Sequence, residues 1–234
     1  MSNSFFQFQR FTIYQDRCAM KVGTDGTLLG AWASVPSMVE AQRVLDIGTG
    51  TGLIALMMAQ RFPQALVTGI DIDEAAVQQA RENAAASPFA ARVAIVSGDV
   101  TVLSDREAAN GYDAIVCNPP YFTDSLQSPD AQRTLARHTA TLSYRALMES
   151  AWRLLSDGGE LSVIIPFDCK ARLEAEALLA GFFKTRECAV RTTVRKPPRR
   201  FLMAFHKHPA QLYTEELVIG SEEYRQLMKD FLLK

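Results

Sequence analysis

The chain has 234 residues, one domain of ordinary size, and its 48% apolar content supplies a large core without disulfide or metal support. With 13 Gly, 10 Pro and 22% charged residues it is not collagen-like, low-complexity or intrinsically disordered. The 25 basic and 26 acidic groups leave a net charge of −1, which excludes a molecule coated in positive charge for nucleic acid.

Residues 1–7 have no basic group ahead of a long apolar stretch, so no signal peptide is expected. The longest apolar run, residues 53–59, falls far short of the roughly 18 residues a membrane helix needs. From residue 43 strands and helices alternate. Residues 43–47 read as a central strand running into a glycine turn, and 53–59, apolar on every side, as a buried helix. Residues 65–71 are a second strand. Asp73 then caps a helix with Val77, Ala80 and Ala84 on one face and Gln78, Arg81 and Glu82 away from it. Residues 92–96 and 112–117 are the third and fourth strands, the latter stopped by Asn118-Pro119-Pro120. A helix over 144–155 is expected to end at Asp157-Gly158-Gly159, a C-cap signal. Residues 160–165 are a fifth strand and 168–180 a helix. A sixth strand over 182–193 and a seventh over 201–206 form a terminal hairpin around a Pro-rich basic loop, and residues 217–219 and a helix over about 221–232 close the chain. The predicted fold class is α/β, a mostly parallel seven-stranded sheet with a terminal antiparallel hairpin and helices on both faces. In such sheets ligands sit beyond the carboxyl ends of the strands, so the chemistry is sought just after each strand.

After the first strand comes Asp46-Ile47-Gly48-Thr49-Gly50-Thr51-Gly52. Glycines at alternate positions let the backbone approach a ligand and turn tightly into a helix N-terminus. A dinucleotide fingerprint would need glycine where Leu53 stands, and a P-loop would need Lys and Ser/Thr after the glycines; neither is present. Asp46 would repel a pyrophosphate but suits a cationic ligand carrying an ammonium and a sulfonium.

The run from Val44 to Gly52 resembles motif I of class I S-adenosylmethionine-dependent methyltransferases, which implies a Rossmann-like fold and a cofactor site at Asp46, Gly48, Gly50 and Gly52. The resemblance implies further that Asp71, ending the second strand, accepts both ribose hydroxyls, and that Asp99, after the third, meets the adenine amino group. Asn118-Pro119-Pro120-Tyr121 follows the fourth strand in the same layer. The prolines hold an extended turn, so the Asn118 side-chain oxygen and the Pro119 carbonyl are presented in fixed geometry. An NH2 group on a planar system is a poor nucleophile. Two acceptors for its hydrogens aim its lone pair at a methyl donor, and Tyr121 offers a ring for stacking on a planar target. This block resembles the target-binding motif of methyltransferases acting on exocyclic amines of adenine or guanine or on glutamine amides, and the pattern does not choose among these.

The segment Asp16 to Trp32, with Cys18-Ala19-Met20-Lys21-Val22-Gly23-Thr24-Asp25-Gly26, opens a helix near Thr24. With it, nearly the whole chain looks like the bacterial family that N6-methylates adenosine 37, beside the anticodon of the first valine tRNA. The resemblance implies adenine N6 as nucleophile, tRNA as partner, and a single methyltransferase domain over 1–234. In it residues 1–42 fold over the cofactor site and Thr24 reaches the cofactor carboxylate. The charge pattern agrees: residues 186–207 carry seven basic groups against Glu187 alone. If the sixth strand runs parallel with the first five, Arg195, Lys196, Arg199 and Arg200 stand beside the pocket, available to phosphates. An unpaired loop base enters a pocket at less cost than one in a duplex.

Three rivals share some of these motifs. A glutamine-amide methyltransferase usually carries an N-terminal helical domain, for which the residues before Val44 leave little room. A ribosomal-RNA guanine N2-methyltransferase and a non-catalytic cofactor-binding module are the others, and the intact Asn-Pro-Pro-Tyr disfavours the last. Cys18, Cys117, Cys169 and Cys188 are widely spaced, which argues against a metal site or disulfide framework and for a cytoplasmic protein. Neither a membrane nor an obligate protein partner is indicated. His138 shows no acid-base partner and reads as a structural or surface residue.

Overall fold

The computed structural model of the chain describes residues 3–18, 21–36, 42–103, 111–120 and 142–233. A short hairpin precedes everything foreseen from the sequence, β1 (Phe5–Gln7) against β2 (Thr12–Tyr14). Its turn is pinned by Phe8 and Phe11, both buried, whose rings stack with centroids 4.7 Å apart. Helix α1 (Thr24–Trp32) follows, buried from Gly26 onward. Gly30 permits that depth, because a Cβ there would stand 2.9 Å from the Met57 Cβ.

The strand–helix alternation then runs through β3 (Arg43–Ile47), α2 (Leu53–Arg61), β4 (Leu66–Asp71), α3 (Glu74–Ala85), β5 (Val93–Ser97) and β6 (Tyr112–Cys117). It continues as α4 (Tyr144–Leu154), β7 (Leu155–Pro166), α5 (Phe167–Leu179), β8 (Phe183–Arg191), β9 (Arg200–His206), β10 (Tyr213–Val218) and α6 (Glu222–Met228). Asp73 caps α3 as its position suggests, accepting the Ala75 N–H at 2.9 Å.

Among the described residues the main sheet has the order β10-β8-β9-β7-β6-β3-β4-β5, eight strands where seven were expected. β9 is antiparallel to both β7 and β8, and the remaining pairs are parallel. Two reversals cancel, so β8 points the same way as β3 and delivers its carboxyl end to the same rim. The uncounted strand is β10. Four of its six residues are exposed, so its sequence lacks apolar alternation. Polar contacts hold it instead: Glu216 pairs with Arg191 at 2.9 Å and Glu215 accepts the Trp32 indole N–H at 2.7 Å.

Asp157-Gly158-Gly159 does not cap a helix, as expected, but lies within β7. Leu155 pairs with Tyr112 and Glu160 with Ala114, so the intervening residues bulge out of the ladder. A Cβ at Gly159 would meet the Leu155 side chain at 2.7 Å and the Asp113 carbonyl at 3.0 Å; the glycine serves close approach inside the bulge.

Alternate residues along each strand feed two cores. Val44, Val116, Leu202 and Ala204 join the layer of α1, α2, α3 and α6, while Leu45, Ile115, Val163 and Met203 join α4 and α5. Both faces being covered is why these strands read as unbroken apolar runs. Truncating any of their large side chains to alanine removes about 2–5 kcal/mol. Among the described residues no helix is long and apolar enough to cross a membrane.

Candidate active site

Where β3 ends, the chain folds back over the sheet edge on three glycines. Gly48, Gly50 and Gly52 have φ of 68°, 55° and 81°, the left-handed region that side chains disfavour. Nothing lies within 4 Å of where a Cβ on Gly48 or Gly50 would stand, so these two face open space. A Cβ on Gly52 would touch Ala80 at 3.4 Å; this glycine caps α2 and lets it lie against α3. The N–H groups of Gly48 and Thr49 both donate to the Ile70 carbonyl, at 2.9 and 3.0 Å. The Gly50 N–H donates to Asp71 Oδ2 at 2.8 Å, and Asp71 Oδ1 accepts the Asp73 N–H at 3.0 Å.

Ile47 and Cys117 are register partners in adjacent parallel strands. Gly48 and Asn118 therefore leave the sheet side by side, about 5 Å apart across the strand direction. A cavity of about 870 Å3 opens over this rim, a volume usual for small-molecule sites. Gly48 and Gly50 form part of its wall, Asp71 and Asp99 stand toward β5, and Asn118, Pro119 and Pro120 line it at the end of β6. Asp99 is held by its own turn, Oδ1 accepting both the N–H and the hydroxyl of Thr101 at 2.8 Å. Thr24, the exposed first residue of α1, lines the cavity from the N-terminal segment; the helix cap itself is Gly23, without a side-chain bond.

Asp46 does not face the cavity, contrary to the sequence reading. It is wholly buried beneath the glycine turn, where Oδ2 accepts the Thr49 hydroxyl at 2.7 Å and the Ala55 N–H at 3.0 Å. Oδ1 has no partner among the described residues. Burial pushes its pKa up to about 7, against the pull of those two hydrogen bonds. Its physical work is to brace the turn and the start of α2. Two thiols at the site are likewise held neutral by burial: Cys18 is pushed up to about 11, with Asp73 and Asp71 adding to the effect, and Cys117 lies well above the usual range.

The basic loop between β8 and β9 stands on the cavity rim, as the parallel direction of β8 requires. It is braced internally by Lys196 N–H to Thr193 O at 3.2 Å, Arg199 N–H to Val190 O at 2.9 Å and Arg191 Nη1 to Lys196 O at 2.9 Å. Arg199 lines the cavity and is exposed, whereas Arg195 and Lys196 are exposed farther out on the loop. Arg200 differs from the other three. Its Nε donates to Asp25 Oδ2 at 2.7 Å, tying the start of β9 to the first turn of α1 across the cavity. Asp25 was not singled out from the sequence; partners 175 positions apart leave no local pattern. Tyr121 and His138 lie outside the described residues.

The cavity over the carboxyl ends of β3 and β6, set in this sheet order, makes the chain a Rossmann-like methyltransferase, and residues 31–194 match the family model described as Methyltransferase small domain. A predicted O-methyltransferase from Agrobacterium tumefaciens shares the fold with a TM-score of 0.64, at 22% identity over 85% of this chain and 90% of that one. TrmN from Thermus thermophilus matches 72% of this chain and 44% of its own, with a TM-score of 0.52 and 26% identity. Among curated proteins, the tRNA1(Val) (adenine(37)-N6)-methyltransferase of Bacteroides fragilis is 45% identical over all of both chains. That of Tolumonas auensis is 41% identical over 100% of this chain and 99% of the relative. The chain belongs to the tRNA1(Val) (adenine(37)-N6)-methyltransferase family.

Proposed function

We propose that the protein transfers a methyl group from S-adenosylmethionine to the exocyclic N6 of adenosine 37 in the anticodon loop of tRNA1(Val). The observation that carries this reading is the side-by-side exit of Gly48 and Asn118 into one cavity, which brings a donor cradle and an amine-orienting group together. The choice of substrate is supported by relatives that bear this name at 41% and 45% identity over essentially full length.

The cradle fits the donor. Gly48 and Gly50 leave room where any other residue would put a Cβ. Each oxygen of Asp71 takes one backbone N–H and keeps a lone pair for a ribose hydroxyl. Asp99 bonds its own turn through Oδ1, so Oδ2 is the atom offered to the adenine amino group. Thr24 is placed to reach the cofactor carboxylate. When bound, the cofactor supplies an electrophilic methyl group on a positively charged sulfur.

Asn118 and the Pro119 carbonyl take the two hydrogens of the target amine and turn its lone pair toward that methyl. They act by positioning and by favouring the charge that develops on nitrogen, so neither a general base nor a metal ion is required. Tyr121 stacks on the target base. Arg195, Lys196 and Arg199 meet the RNA phosphates at the rim. In this reading residues 1–234 act as one methyltransferase domain with residues 1–42 folded over the cofactor, and the protein works in the cytoplasm, where tRNA is modified. Radiolabelled cofactor, offered with the enzyme to tRNA, ribosomal RNA and protein from cells lacking it, tests the assignment. Label in tRNA is expected; label confined to ribosomal RNA or protein overturns it.

A further inference from the structure

Phe167 begins α5 directly beyond β7 and is 60% exposed. Val163 is the register partner of Cys117, so Phe167 stands three residues farther along the strand direction than the level of Asn118, about 10 Å out from the catalytic rim. Its N–H donates to the Arg199 carbonyl at 3.1 Å, which sets it beside a cation at the mouth of the cavity. Beneath it lies the buried ring of Phe201, with centroids 6.2 Å apart and planes tilted by 39°. The ring is thus supported from the protein side and open to solvent on the other. It contributes little to the core for its size. An exposed aromatic face among Arg199, Arg195 and Lys196 has the composition of a single-stranded nucleic-acid platform, a stacking surface for a base with cations for the phosphates.

We propose that Phe167 is a positioning residue that stacks on a nucleobase neighbouring the methylated adenosine in the anticodon loop. It stands outside the cavity, at a distance suited to the next base and not to the target itself. This inference rests on the tRNA reading above.

The test follows methylation of a tRNA1(Val) transcript, and the fluorescence of the same RNA carrying 2-aminopurine at the nucleotide on either side of the target. Phe167→Ala and Phe167→Leu should raise KM for the RNA about tenfold to a hundredfold, with kcat and cofactor affinity unchanged within about twofold. Phe167→Tyr should restore KM. The wild-type protein and Phe167→Tyr should quench 2-aminopurine at one flank, and Phe167→Ala should not. Leucine keeps the apolar contact with Phe201 but lacks the π face, so a Phe167→Leu enzyme as good as wild type would overturn the proposal. An unchanged KM in Phe167→Ala, or no quenching at either flank, would do the same. A wild-type protein that methylates no RNA would remove the tRNA reading and this inference with it, whereas active wild type with indifferent variants overturns the inference alone.

Discussion

Gly50 donates its backbone N–H to Asp71 Oδ2 at 2.8 Å, joining the glycine turn after β3 to the end of β4. One carboxylate thus fixes the shape of the cradle and faces the cavity it forms. Asp71→Ala removes the acceptor of that N–H and the proposed ribose contact together. Hydrogen bonds to charged groups are worth about 1.5–3 kcal/mol, so cofactor affinity measured by calorimetry should fall at least about tenfold. Asp71→Asn, which keeps an acceptor oxygen, should fall in between.

The buried Asp46 makes stability depend on pH. Its pKa is about 7 in the fold against an ordinary value of 3.8, so the native state holds this proton more tightly than the unfolded chain. The contribution is complete below about pH 4 and is lost as pH rises through about 7. Asp46→Asn lacks this proton. Urea denaturation should therefore show the stability difference between variant and wild type moving in favour of the variant from pH 4 to pH 7. A constant difference would mean the carboxyl is not desolvated.

The Arg200–Asp25 pair separates two roles within the basic loop. Arg200→Glu should weaken cofactor and RNA binding together, because it repels Asp25 and unfastens α1 from β9. Charge reversal at Arg195 and Lys196 should lower RNA affinity and flatten its salt dependence, with cofactor affinity unchanged. Exchanging the charges with Asp25→Arg and Arg200→Asp should recover part of the cofactor affinity, measured by the same titration.

Much of this was legible beforehand because it is local. The apolar run of β3, the alternate glycines after it and the prolines after β6 each dictate a strand end or a turn within a few residues. The parallel direction of β8, on which the placement of the basic loop depends, follows from two antiparallel pairings with β9 and agrees with the condition set from the sequence. What escaped is non-local. β10 carries Glu215 and Glu216 on an exposed edge, so its strand character depends on β8. The two glycines before Glu160 look like a helix stop but serve a bulge that needs β6 opposite. Asp46 reads as a ligand contact because the sequence shows its neighbour Gly48 but not its burial under Thr49.

Glu160 supplies a stability test remote from the proposed chemistry. It is 3% exposed and accepts the hydroxyls of Ser34 and Ser162 at 2.7 and 2.9 Å, with Arg186 and His206 each 3.3 Å away. Burial raises its pKa, but those partners outweigh burial and hold the carboxyl below its usual range. Arg186 also lies over the Trp32 ring at 4.0 Å, so the cluster locks the end of α1 to the sheet. Glu160→Ala strands a cation and should cost about 3–5 kcal/mol in chemical denaturation. Below the unfolding transition kcat should stay within about twofold.

Asn118→Ala bears on the central claim most directly, through its single-turnover rate with the tRNA1(Val) transcript at saturating cofactor, measured alongside cofactor affinity. If the side-chain oxygen of Asn118 aims the adenine amine at the donor, the rate falls about a hundredfold or more while cofactor affinity stays within about twofold. A rate close to wild type would contradict the account, as would a loss of rate that follows a matching loss of cofactor binding.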